Sequence, residues 1–125
     1  MHSYLILLGS NAANAKAMIS NALGWMKMRN YLAAKSPMTE SPDSTGRTDK
    51  VYVNAVVEAL CGVDIQRLSS ELKDYETKHG REHDGSEVAI DLDIVVADGK
   101  IMRPEDFQSP HFQRAMQRLQ PIAIP

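Results

Sequence analysis

Apolar positions along this chain follow two periods, and the switches between them mark its elements. Tyr4 to Leu8 is an apolar run stopped by Gly9-Ser10-Asn11, which predicts a first strand. From Ala15 to Met28, residues Ala15, Met18, Ile19, Ala22, Leu23 and Met26 recur at helical spacing. Tyr31 to about Thr39 predicts a second strand of weak β material, and Ser41 to Lys50 (SPDSTGRTDK) reads as a loop. Val51 to Leu60 is the strongest strand pattern. Val51, Val53, Ala55, Val57 and Ala59 share one face; Tyr52, Asn54 and Glu58 share the other. After Gly62, Asp64 is the expected cap of a helix running to about His79. Ile65, Leu68, Leu72 and Tyr75 form that helix's buried stripe, and Gly80 is its natural stop. A strand from about Val88 to Val96 follows, with Ile90, Leu92, Ile94 and Val96 alternating toward a core. A turn at Asp98-Gly99 and a short helix near Phe112 to Leu119 complete the pattern.

The order β-α-β-β-α-β predicts an α+β, ferredoxin-like domain spanning residues 1–125. Its antiparallel sheet would carry the helices on one face. The polar sides of the two best strands would then meet on the other face, where a site is expected.

Composition narrows the possible functions. Hydrophobic residues make up 43% and charged residues 24%, ordinary values for a soluble globular domain. The formal net charge of -2 offers no basic excess for a general nucleic-acid binder. No apolar run approaches the roughly 18 residues of a membrane span. The N-terminal run is short and has no basic region before it, unlike a signal peptide. A lone Cys61 fits a reducing compartment. A cytoplasmic monomer is the expectation.

The strand Ala89 to Val96 (AIDLDIVV) carries the first chemical oddity. Asp91 and Asp93 point the same way, roughly 7 Å apart along the strand, where like charges repel unless a cation or proton intervenes. Carboxylates so placed suit Mg²⁺, which takes one or two protein carboxylates and completes its shell with water and phosphate oxygens. The plainer alternative is a solvated strand face. Glu76 falls inside the apolar stripe of its helix, so it either caps a local network or reaches a ligand at the sheet edge; pairing with Lys73 or Lys78 is the plain account. Arg81, after the helix stop, is placed for phosphate or simply for the helix dipole. His111 is a phosphate donor or a lone surface histidine. Asn54 offers both donor and acceptor to a heterocycle edge, with Tyr52 beside it for stacking, unless the two are a cross-strand polar pair.

Those residues stand in segments that resemble hydroxymethyl-dihydropterin pyrophosphokinase of folate synthesis, of which this chain looks like a short and divergent member. LLGSN is similar to the family's opening strand and turn, and MTESP to its Thr-x-Pro segment, with Ser41 for the threonine and Pro42 for the proline. DKVYVNAVV, YETKHGR, IDLDIVV and SPHFQR follow in the family's order and spacing, to about Gln120. The resemblance implies an ATP-dependent diphosphokinase acting on two small molecules, ATP and a hydroxymethyl-dihydropterin, with no nucleic acid and no membrane involved. By position, Asp91 and Asp93 would hold two Mg²⁺ ions, and Arg81 would join them as a catalytic residue. Asn54, Tyr52, Ser41 and Pro42 would form the pterin pocket; Glu76, Arg81 and His111 would lie on the ATP side.

The chain departs from the family in the interval REHDGSEVAID, which lacks the usual Trp-Gly-Pro-Arg before the aspartate strand. The C-terminal aromatic partner of the pterin is also missing; Gln117 or Arg118 stands there. Losing one preorganised electrostatic contact costs about 10²–10³ in rate, so reduced activity is expected. The rival expectation is a weakly active or non-catalytic paralogue, a nucleotide- and pterin-binding module. A structural domain using its open sheet face on a protein partner is the blandest.

Overall fold

A computed structural model describes residues 1–42, 51–80 and 87–122. The elements run β1 (His2–Ser10), α1 (Ala15–Met28), β2 (Leu32–Lys35), β3 (Thr39–Pro42), β4 (Val51–Cys61) and α2 (Ile65–Lys78). Then follow β5 (Asp91–Ala97), β6 (Lys100–Ile101), α3 (Pro104–Gln108), α4 (Pro110–Gln117) and β7 (Gln120–Pro121). It is an α+β fold built on an open antiparallel sheet, in the order β6-β5-β1-β4-β2-β7, with β3 also pairing β4. Among the described residues no helix is long and apolar enough to cross a membrane.

The first core lies between the sheet and the helices α1 and α2. Tyr4, Ile6 and Leu8 of β1 and Val53, Ala55, Val57 and Ala59 of β4 meet Ile19, Ala22 and Met26 of α1 and Leu68 and Leu72 of α2. The helix faces follow the expected stripes, and Asp64 caps α2 by accepting the Arg67 N–H at 2.9 Å. Gly80, at φ +85, takes the left-handed turn that ends such a helix at little steric cost.

The second face is not bare, which corrects the expectation of helices on one side only. Leu7, Val56, Val95 and Val96 pack there against Phe112 and Ala115 of α4. Complete burial of Phe112 is worth roughly 2–3 kcal/mol. A register shift places Leu5 opposite Val96 but Ile6 opposite Ile94, leaving Val95 as the extra residue of a bulge. Val96 therefore joins the second cluster, and the simple alternation through Ile90, Leu92 and Ile94 stops at Ile94. The strand itself begins at Asp91; just before it, Val88 is held by the turn after β1. Its N–H donates to Asn11 Oδ1, and its carbonyl accepts the Asn11 N–H at 3.0 Å and the Ser10 hydroxyl at 3.2 Å.

Two proline effects separate the rest from expectation. The second strand is interrupted at Ser36-Pro37, because proline has no N–H for the ladder. Ser36 replaces part of the lost pairing: its N–H donates to the Val56 carbonyl and its Oγ accepts the Val56 N–H, at 2.8 and 2.9 Å. The chain resumes as β3, so Ser41 and Pro42 belong to a strand paired with Tyr52 and Val51, not to a loop. In the tail, the helix expected near Phe112 to Leu119 runs from Pro110 to Gln117 as α4, and α3, which the sequence pattern does not predict, precedes it; Pro110 holds Ser109 at an extended ψ of 143°, which separates the two.

Candidate active site

Cross-strand registry builds the site. Gly9 of β1 lies opposite Asn54 of β4 on one side and opposite Asp91 of β5 on the other. The next row on this face is Val56, Leu7 and Asp93 in the same three strands. Cross-strand neighbours point the same way, so an amide and two carboxylates share one face, separated by a residue without a side chain. Two interstrand spacings put the Asn54 and Asp91 backbones about 10 Å apart. A Cβ on Gly9 would stand 3.4 Å from Asn54 Oδ1 and 3.6 Å from the Tyr52 ring. Glycine keeps this floor low.

Over that floor lies a cavity of about 330 Å³ lined by Ser41, Pro42, Tyr52, Asn54, Asp91, Asp93 and His111. Asn54 is buried, and its Nδ2 donates to Ser41 Oγ at 2.7 Å. That bond fixes the amide orientation and turns its oxygen toward Gly9. Half-buried Tyr52 supplies an apolar wall. His111 enters from the first turn of α4, whose N-cap Ser109 accepts the Phe112 N–H at 3.4 Å. Burial pushes its imidazole below the ordinary histidine range, partly offset by Asp106. The shift favours the neutral ring, which carries one N–H donor.

The acidic end is crowded. Ligand oxygens of Glu76, Asp91 and Asp93 lie within 4.8 Å of one another. Glu76 is 4% exposed and its Oε2 accepts the Leu92 N–H at 2.7 Å. Among the described residues no strand pairs the edge of β5 away from β1 along Asp91–Ile94, so this carboxylate does for Leu92 what a second neighbouring strand would do. Glu76 thus caps the edge of the strand and stands beside the aspartates. Burial, then the Asp91 charge, push Asp93 up to about 7, with Asp106 and Glu76 adding to the shift and Arg103 opposing it. Hard divalent cations take carboxylate oxygens, and one bound here would relieve that repulsion. The donor set fits magnesium.

The structure adds to the cleft wall Arg103 and Asp106, neither of which the sequence pattern singles out. Arg103 Nη1 is 3.8 Å from Asp93 Oδ1, and its Nε donates to Asp106 Oδ2. Arg81 lies outside the described residues.

In a sequence comparison no curated protein matches the chain. The family model described as 7,8-dihydro-6-hydroxymethylpterin-pyrophosphokinase matches residues 5–123. That span runs through every strand that builds the cleft and takes in both the amide and the carboxylate ends of it. The chain belongs to the 7,8-dihydro-6-hydroxymethylpterin-pyrophosphokinase (HPPK) family, the pterin pyrophosphokinases of folate biosynthesis.

Proposed function

We propose that this protein transfers the terminal diphosphate of ATP to the hydroxymethyl group of a dihydropterin. The observation that carries the reading is the single cleft in which an oriented amide and a carboxylate pair face each other across Gly9. A bicyclic heterocycle laid over Gly9 presents its donor–acceptor edge to Asn54 and its substituent toward Asp91 and Asp93. Tyr52 and Pro42 cover its faces. The acceptor oxygen attacks the β-phosphorus, the bond from that phosphorus to the α-phosphate oxygen breaks, AMP leaves, and the hydroxyl proton is released. Mg²⁺ held by Asp91 and Asp93, two ions in our reading, supplies charge neutralisation at the phosphates when bound. Glu76 braces the strand that carries the aspartates, and His111 and Arg81 serve the phosphate side. Such transfer needs positioning and charge compensation more than covalent help from the protein.

The four central strands β5-β1-β4-β2, with α1 and α2 as the crossovers, support a ferredoxin-like reading of the core. The remaining strands and α3–α4 are additions around it. We place the protein in the cytoplasm as a monomer, with buried, unpaired Cys61 consistent with a reducing compartment. The sequence of 81–91, without Trp-Gly-Pro-Arg, supports slower turnover than in relatives that carry that motif.

The test is incubation with Mg·ATP and 6-hydroxymethyl-7,8-dihydropterin, followed by chromatography. AMP appearing in step with diphosphorylated pterin is expected. Binding of both ligands without AMP would make the protein a binding module instead. Within the pocket, Asn54→Ala should lose more pterin affinity in a fluorescence titration than Tyr52→Leu, by about 10-fold or more. The reason is that a site built on hydrogen bonds discriminates sharply once a buried partner is left unpaired. The reverse order would make stacking the basis of recognition.

A further inference from the structure

Arg103 occupies a junction. A second cavity, of about 210 Å³, opens between α2 and β5 against Ser69, Lys73 and Ile94, and Asp93 and Arg103 line both it and the first cleft. The backbone there is fixed: the N–H groups of Met102 and Arg103 both donate to the Val95 carbonyl, at 2.8 and 3.3 Å. The side chain is fixed at one end only. Nε is bonded to Asp106 at 2.5 Å, whereas Nη1 stands 3.8 Å from Asp93, beyond hydrogen-bond distance. The side chain is 51% exposed, so the outer guanidinium nitrogens reach the cleft without unfolding anything.

We propose that Arg103 is a phosphate-contacting residue that faces Asp93 until the metal arrives. In the protein alone its charge compensates Asp93. A divalent cation that binds Asp91 and Asp93 competes for the same carboxylate, and the guanidinium, still anchored by Asp106, turns its free N–H fork onto phosphate oxygens. Arginine suits both duties because its charge is permanent and its planar donors match carboxylate and phosphate alike. Asp106 is the positioning residue of this pair. The inference rests on the proposed metal–phosphate role of Asp91 and Asp93, and it gives this chain a cation at the transferred group that the 81–91 segment does not have to supply.

Two titrations test it, without pterin and without turnover. Mn²⁺ alone is followed by electron paramagnetic resonance, and Mn²⁺ with a non-hydrolysable α,β-methylene ATP by calorimetry. In Arg103→Ala, Mn²⁺ alone is expected to bind as tightly as in the parent or several-fold more tightly, since a competing cation is gone. The Mn²⁺·nucleotide complex is expected to bind at least tenfold more weakly, with Arg103→Lys between the two. Opposite directions for the two ligands are what a purely structural role does not produce. Nucleotide affinity within twofold of the parent, or both affinities falling together, would overturn the proposal. Asp93→Ala separates the levels: if it too keeps its nucleotide affinity, the metal reading itself fails, whereas its loss beside an unaffected Arg103→Ala condemns the arginine alone.

Discussion

Asp93→Ala is expected to lose Mg²⁺-dependent nucleotide binding and, with it, product formation, by a factor of about 10²–10³ or more. Two carboxylates hold Mg²⁺ weakly on their own, and phosphate oxygens complete its octahedron, so metal and nucleotide affinity stand or fall together. Asp93 is the better target because it faces both cavities, whereas Asp91 faces only the first. Its removal also takes away the partner that Arg103 approaches at 3.8 Å, but Arg103 keeps Asp106 and is not stranded. The lost affinity therefore reports on the metal site and not on a collapsed wall. Calorimetry with Mg·ATP analogue measures it directly, and chromatography of AMP gives the rate. Nucleotide binding that survives Asp93→Ala unchanged would retire the metal assignment, because no nearby group replaces both its charge and its place in the strand.

Much of this site was legible in the sequence because strands of period two hide nothing about which residues share a face. Asp91 with Asp93, and Tyr52 with Asn54, sort to one side without any knowledge of the fold. Glu76 was visible as a polar residue in an apolar helical stripe, and it is buried as that position demands. Residues that act through tertiary registry were harder. Gly9 was legible as the end of a strand, but its role as the floor between Asn54 and Asp91 depends on which strands become neighbours. The place of Arg103 is marked by the Asp98-Gly99 turn. Asp98 and Gly99 both take positive φ, at 49° and 82°, which is the backbone of a tight hairpin turn. Counting back from that turn, Ala97 pairs with Lys100 and Val96 with Ile101, so the next residues return toward Asp93. The interruption at Pro37 and the division at Pro110 were equally open to reading from proline chemistry. The bulge at Val95, which sends Val96 to the second core, has no local sequence mark, since every residue around it is apolar and suits either face.

The pH dependence of stability gives an independent view of the same carboxylate, because the crowding and burial that would favour a metal on Asp93 make its charge costly in the metal-free protein. Its ordinary value is 3.8 and the folded value about 7, raised by burial and then by Asp91, with Asp106 and Glu76 adding and Arg103 opposing. Below the ordinary value Asp93 is protonated in both folded and unfolded chains and costs nothing. Between the two values the unfolded chain releases the proton while the native protein retains it, so stability declines as pH rises, by up to about 1.4 kcal/mol per unit. Above the folded value both states are ionised and the loss is complete. Asp93→Asn keeps the shape and removes the charge. Without metal it should therefore match the parent near pH 4 and melt at a higher temperature at pH 8, by roughly 5 °C or more for a domain of this size. Saturating Mg²⁺ should close that gap by raising the parent's melting temperature while leaving the variant's nearly unchanged, since a ligand stabilises only the state that binds it. For the same reason the parent's affinity for Mg²⁺ should fall as pH drops below 7, where protons and metal compete for one carboxylate. Differential scanning calorimetry at pH 4, 6 and 8, with and without Mg²⁺, reads all of these at once. A melting difference that is the same at every pH would mean that Asp93→Asn acts through packing, and that the acid end of the cleft carries no retained proton for a metal to displace.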